Sequence, residues 1–377
     1  MTVWQPLLET AIHAPSPHNV QPWRVRILSD LRADLLIEKR RTLPKEDPTG
    51  SFIILTMGLF IEALRILAAN RSFKLHYELY QAPSQFTPEH IAKAEGELLP
   101  FARLTLNRKQ EQAAGTGDES TVKKTRREQQ STGEAGTFGE EAGGTPAVPV
   151  KSLHEGYDDS LFLTRRTSRI SLLPQGVPDE AVEALRNLAH EWGQRYEQVD
   201  VPETIEQVLE QNIDALFADL NAPAYHDEIV EWFRFTDRAS RRTRDGLDYR
   251  CMNSSRLSFW LAARFPKLVQ LPIARPVLQS IYRRQLGIVP TIGMLAGPFW
   301  QPESAFETGR FLMHFWLELA KRDLYLHPYG NLVTNKRAAE WCRETLGVSD
   351  IWLIFKIGFS KVPPQSYRRS VEEVLVD

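Results

Sequence analysis

Apolar residues recur at helical and strand periods along most of the chain, and one long polar stretch interrupts them. Trp4, Leu8, Ala11 and Ile12 share one face of a helix that Pro15 ends. Residues 23–28 then alternate and residues 33–39 supply a second strand, which predicts a local antiparallel hairpin. From residue 51 to 70 the pattern predicts a helix with two apolar stripes. Leu55, Leu59, Ala63, Ile66 and Ala69 form one, Ile54, Gly58 and Ile61 the other, so both faces need cover. This stretch carries Glu62 and Arg65, which a membrane span would resist, and it reads as a buried helix. Residues 73–80 and 101–107 add two strands, giving an α+β first half with helices against a mixed sheet.

The second half opens near residue 163. Helices are predicted from 178 to 192, 203 to 220 and 224 to 235, with a short strand over 195–199. Residues 238–256, rich in Arg, Ser and Asp, read as a loop or a lid over a site. A strand at 291–296 is followed by a helix striped by Phe306, Met313, Leu317 and Ala320. A helix over 336–346 stops at Gly347, residues 351–359 form a strand buried on both faces, and 360–377 read as a polar tail.

Between the halves, residues 108–156 are Gly, Glu, Gln, Lys, Ser and Thr with almost no large apolar side chain, the composition of a disordered insert. The Gly-rich run from Gly136 follows no strand and matches no phosphate-loop spacing. The division is therefore 1–107, 108–156 and 157–377. With 377 residues, 42% hydrophobic and a net charge of −2, the chain can bury a large core and has no global attraction for nucleic acid or an anionic membrane. Cys251 and Cys342 show no disulfide or metal spacing, and the N-terminus lacks a basic signal region, so a cytoplasmic protein is expected. The histidines form no HxH or HExxH pattern and no Gly-x-Ser-x-Gly elbow is present, so neither a catalytic metal nor a serine hydrolase is expected.

Two constellations could carry chemistry. In Pro15-Ser16-Pro17-His18-Asn19-Val20-Gln21-Pro22-Trp23, prolines hold the backbone extended and Ser16, Asn19 and Gln21 can each donate and accept hydrogen bonds, which suits the uracil-like edge of a flavin. Residue type alone favours a polar turn ahead of a strand. Arg165-Arg166-Thr167-Ser168-Arg169 packs three guanidiniums and two hydroxyls into five residues, apt for a phosphate. Charge runs are more often solvated faces, and Arg241-Arg242-Thr243-Arg244 has a similar composition.

The first segment resembles the APSxxNxQPW loop of the nitroreductase superfamily, and the second is similar to the RR[ST]xR opening of the same domain. Arg368-Arg369 near the C-terminus resembles its closing phosphate contacts, in either register. The resemblance implies FMN as cofactor, with Ser16, Asn19 and Gln21 at the ring, Pro15 and Pro17 shaping the loop, and Arg165, Arg166, Ser168, Arg169 and Arg368 or Arg369 at the phosphate. It leaves Trp23 in the core, and His18 as a solvated or loop-packing residue. In the family's single domain the arginine motif precedes the loop; here the order is divided between halves. The implied fold is α+β and nitroreductase-like, two fused halves forming a pseudo-dimer with mixed sheets flanked by helices and one complete site. That favours a single-chain pseudo-dimer over an obligate homodimer.

The implied activity is FMN-dependent oxidoreduction from NADH or NADPH to a nitro, quinone or other conjugated acceptor, with no catalytic side chain required. The alternative is an FMN-sequestering protein with a lidded site. The region from Glu228 to Leu247 resembles a segment of the double-length branch of that superfamily. Glu231 and Asp245 could meet a substrate there, but residue type favours a solvated helix position for Glu231 and a turn at Asp245-Gly246.

Overall fold

Nearly every side chain of the helix at Ser51–Ala69 is buried, because both of its apolar stripes find partners. In the computed structural model, residues 2–109, 157–265, 271 and 273–377 are described. The expected insert therefore lies, apart from its ends, outside the described residues; Arg108 itself ends a strand.

The first half runs α1 (Trp4–Ala11), β1 (Trp23–Ser29), β2 (Arg32–Glu38), α2 (Ser51–Ala69), β3 (Phe73–Leu79), α3 (Pro88–Lys93) and β4 (Leu98–Arg108). The second half opens with α4 (Asp159–Thr164), α5 (Asp179–Glu191) and β5 (Arg195–Val199). A largely helical excursion follows: α6 (Pro202–Leu220), α7 (Pro223–Glu231), β6 (Phe233–Arg234), α8 (Asp237–Thr243), β7 (Leu247–Asp248), α9 (Arg256–Arg264) and α10 (Ala274–Leu286). The chain then returns through β8 (Thr291–Ala296), α11 (Pro302–Lys321), β9 (Tyr325–Pro328), α12 (Asn331–Thr334), α13 (Lys336–Leu346), β10 (Ile351–Gly358), α14 (Val371–Val374) and β11 (Leu375–Val376).

Two sheets share one strand order. The first is β11-β1-β2-β4-β3, the second β5-β8-β10-β9. Apart from the parallel edge strand β11, all neighbours in both are antiparallel. In each half a helix (α1 or α5) comes immediately before the first strand, and a long helix (α2 or α11) joins the second strand to the third.

Those two long helices cross at paired glycines. A Cβ on Gly58 would stand 2.3 Å from the Phe306 carbonyl oxygen, and one on Gly309 would stand 2.1 Å from that of Leu55. Backbones meet there because neither helix has a side chain at the crossing. Glu62, fully buried on α2, is satisfied across it by Arg310 at 2.9 Å and His314 at 2.5 Å, and on its own helix by Arg65. Although α2 is apolar and long enough for a membrane span, 83% of its most apolar window is inside the fold.

Three expectations need correction. The tail is not simply polar: Ser370 and Glu373 form a capping box, Val371 and Val374 are buried, and β11 adds to the edge of the first half's sheet at Val25 and Arg26. Residues 238–256 are not one loop, since Thr236 and Ser255 cap α8 and α9. The helix expected to reach residue 235 ends at Glu231, and residues 233–234 pair in parallel with 247–248.

Candidate functional site

The loop between α1 and β1 holds an unusual backbone. His18, Asn19 and Gln21 have φ of +45°, +56° and +51°, a left-handed conformation that side-chain-bearing residues adopt only when their surroundings hold them there. The restraints are visible. Ser16 Oγ accepts the Gln21 backbone N–H at 3.0 Å. Asn19 Nδ2 donates to the carbonyl of Tyr367 at 3.0 Å and, more weakly, to that of Gly246. Gln21 Nε2 donates to the Arg244 carbonyl at 2.9 Å, while its Oε1 accepts the backbone N–H of Arg369 at 2.9 Å. Pro15 is buried and Pro17 opens a short 3-10 turn, while His18 pairs with Glu46. Gln21 is thus fully occupied as a brace, whereas Asn19 Oδ1 is buried without a partner.

The arginine segment follows directly on α4. Arg165 is buried with its guanidinium 4.7 Å from the centre of the Trp316 ring, and its Nη2 donates to the carbonyl of His13 at 3.3 Å. Arg166 donates to the Pro363 carbonyl at 2.7 Å, and Arg169 to that of Cys251 at 3.4 Å. Ser168 is fully buried, its hydroxyl 3.0 Å from that of Ser360. Arg368 donates to Ser366 Oγ at 2.8 Å. Buried guanidinium nitrogens remain unpartnered on all four: Nε and Nη1 of Arg165, and Nε of Arg166, Arg169 and Arg368. Among the described residues none of the four meets a carboxylate within 4 Å.

Such a gathering of unneutralised charge perturbs titration. Burial, then Arg368 and Arg166, push Arg165 down to about 9, and burial pushes Arg368 down to about 10. His13, half-buried, is pushed down to about 4 by desolvation, then by Arg368 and Arg165, and stays neutral at physiological pH. Lys356, fully buried on β10 with Nζ donating to the carbonyls of Ile170 and Leu286, is pushed down to about 7 by burial and by Arg169. A phosphate fits this donor set, because charge-assisted bonds would satisfy the orphaned nitrogens.

Arg369 differs from its neighbour. Its guanidinium donates to Glu38 at 2.9 Å and to the Trp23 carbonyl at 3.0 Å. It braces β1 and β2, and Arg368 is the member of the pair that faces the unneutralised cluster. The second arginine run lies on exposed α8, where Arg241 and Arg242 line an open cleft with Asp237. Arg241 donates to the Tyr367 hydroxyl at 3.2 Å, and Arg244 pairs with Glu373 at 3.4 Å.

A segment of the excursion covers the loop. Asp245 is no solvated turn residue: it is buried between Arg41 at 2.8 Å and Arg234 at 2.7 Å. Val20, Leu43 and Trp232 pack as a small apolar cluster beside it. Gly246 has φ +76°, and a Cβ there would lie 2.3 Å from the Trp232 carbonyl oxygen, so glycine is required. Sequence reasoning missed His13, Trp316, Lys356 and Asn253, the last of which donates to the carbonyls of Arg169 and Gln285. Each meets its partner across a long sequence separation, and none sits in a motif.

No family model and no curated protein matches the chain. Solved structures similar to it include the FMN-dependent nitroreductase NfnB of Mycobacterium smegmatis in complex with NADPH, at 18% identity over 55% of this chain and 93% of that one, TM-score 0.33. The FMN- and NADPH-dependent nitroreductase NfnB of Sphigopyxis sp. strain HMH is 14% identical over 58% of this chain and 96% of that one, TM-score 0.35. A nitroreductase with bound FMN from Bacteroides fragilis is 12% identical over 56% of this chain and 91% of that one, TM-score 0.32.

Proposed function

We propose that the chain binds one FMN and works as an FMN-dependent oxidoreductase of the nitroreductase type. The carrying observation is the buried set of guanidinium nitrogens on Arg165, Arg166, Arg169 and Arg368, which meet no carboxylate among the described residues, with Arg165 bonded to the His13 carbonyl just before the loop and the loop's Asn19 and Gln21 bonded to Tyr367 and Arg369 on either side of Arg368. These arginines and Ser168 would hold the phosphate. Ser16 and Asn19 would meet the polar edge of the ring, Asn19 through its unpartnered Oδ1. Gln21, Pro15 and Pro17 fix the loop that presents them. The bound cofactor would supply two-electron transfer from NADH or NADPH to a nitro, quinone or other conjugated acceptor. The chain's own part is to neutralise the phosphate, orient the ring edge and exclude water through the segment around Trp232 and Asp245.

The repeated strand order and the reciprocal crossing at Gly58 and Gly309 support two fused halves. The first half carries the loop and the second carries the arginines, so one site per chain follows. Titration of flavin-free protein with FMN and with riboflavin tests this. FMN should bind at one per chain and at least about tenfold more tightly than riboflavin, which lacks the phosphate. Equal affinities, or two FMN per chain, would overturn it.

The buried Asp245 pairs, with Gly246 and Arg244 hydrogen-bonded to the loop, favour a second reading in which a latched cover lets the protein sequester FMN with little turnover. Anaerobic addition of NADH or NADPH to the FMN-bound protein separates the two. Rapid bleaching supports the enzyme, and persistent colour supports sequestration.

A further inference from the structure

Two helices of the excursion turn apolar side chains outward. On α9, Leu257, Trp260 and Leu261 fall on one face and are exposed, Leu257 at 65%, while Phe259 and Ala263 are buried on the other. On α10, Val277 and Ile281 lie one turn apart at 58% and 46% exposure, and Ile273 just before the helix is 89% exposed. Single exposed apolar residues are ordinary, but three on α9 and three at or just before α10, each set at helical spacing, are more than scattered ones.

Charge says what it meets. The chain carries a net −2, yet from Tyr249 to Gln301 it contains no Asp or Glu and seven Lys or Arg. Three nearby carboxylates are already used, Asp237 by Arg256 at 2.5 Å, Asp214 by Arg275 at 3.1 Å and Glu206 by Arg283 at 2.5 Å, while Glu210 on α6 lies near Arg283. Arg264 and Arg284, exposed on these helices, have no ion pair among the described residues, nor do Arg238 and Arg242 on adjoining α8. A two-fold contact with a second copy would set this cationic patch against itself. An apolar face with a tryptophan, flanked by unpaired arginines, instead matches a bilayer with anionic headgroups, where the side chains enter the acyl boundary and the guanidiniums meet phosphates.

We infer that the exposed apolar sides of α9 and of α10 dock the protein peripherally on an anionic phospholipid surface. The inference is independent of the flavin reading, although Asn253 links the two regions through the carbonyls of Arg169 and Gln285. It departs from the expectation drawn from whole-chain charge, because the attraction is local.

The full-length protein is sedimented with phosphatidylcholine vesicles, with and without phosphatidylglycerol. Binding should require the anionic lipid, weaken with salt and blue-shift tryptophan emission, a shift that Trp260→Phe reduces. Val277→Glu with Ile281→Glu should cut binding by about tenfold or more. Arg264→Gln and Arg284→Gln, which leave the apolar face and the fold intact, should each cost roughly fivefold. Absence of binding, equal binding to neutral vesicles, binding unchanged in these variants, or a dimer in light scattering that Val277→Glu dissociates would each overturn the inference.

Discussion

The side-chain oxygen of Gln21 accepts the backbone N–H of Arg369 at 2.9 Å, so one buried amide ties the first loop of the chain to its last segment. The other end of that amide holds the Arg244 carbonyl, and no part of Gln21 is exposed. Gln21→Leu keeps the volume but leaves the buried Arg369 N–H and the Arg244 carbonyl without these partners. It should cost about 2–5 kcal/mol in urea unfolding and release the strained backbone at Asn19. A loss under about 0.5 kcal/mol would mean the brace contributes little.

Buried charge and binding should trade against each other. Arg165 is desolvated without a carboxylate, so Arg165→Met should leave the flavin-free protein as stable as before or raise its stability by about 1–3 kcal/mol. The same change should weaken FMN binding by at least about tenfold, and Arg368→Met should act alike. Arg369→Met must behave differently: it removes one of the four arginines paired with buried Glu38 together with the bond to the Trp23 carbonyl, and should cost about 1–3 kcal/mol with or without flavin. Arg241→Met with Arg242→Met, on an exposed helix, should change neither measurement much. If Arg165→Met and the Arg241/Arg242 pair affect FMN binding equally, the phosphate assignment is wrong.

Local pattern carried much of the fold. The hairpin at Trp23–Glu38, the helix at Ser51–Ala69 and the strand at Ile351–Gly358 are legible because their periods span many residues. The tail was misread because β11 has two residues and its partner, β1, lies at the other end of the chain. Asp245-Gly246 has the composition of a turn, and it is Arg234 together with Arg41, the latter 204 residues away, that makes the aspartate a buried latch. For the arginines, composition could not separate Arg165-Arg166 from Arg241-Arg242. The difference is the burial that Trp316 and the tail impose on one run and the solvent that surrounds the other.

The helix crossing makes a steric prediction. Gly309→Ala places a methyl 2.1 Å from the Leu55 carbonyl oxygen on a backbone that cannot yield without separating α2 from α11. A loss of about 1–3 kcal/mol or more is expected, and Gly58→Ala should do the same against Phe306. Gly330→Ala is the contrast: its φ of −56° and ψ of −40° suit alanine and nothing lies within 4 Å, so stability should rise by about 0.4–1 kcal/mol. Thermal melts of the three variants decide it, and a tolerated Gly309→Ala would sink the backbone-contact account.

Lys356 gives the protein a pH dependence of defined sign. Its ammonium is fully buried, and burial with the nearby Arg169 charge lowers its value from 10.5 to about 7. Below about 7 both folded and unfolded chains carry the proton and the burial penalty is felt in full. Between about 7 and 10.5 the unfolded chain binds more protons, so this residue makes stability rise with pH, and above that window its penalty is gone. Lys356→Met abolishes the titration, so the stability difference between wild type and variant should grow in favour of wild type across that window in urea unfolding series. Other groups titrate there as well, but they cancel in the difference. A flat difference would show that Lys356 stays charged in the fold. Saturating FMN adds a further arm: a phosphate against Arg169 offsets the charge that helps depress Lys356, and the rise should then begin at higher pH.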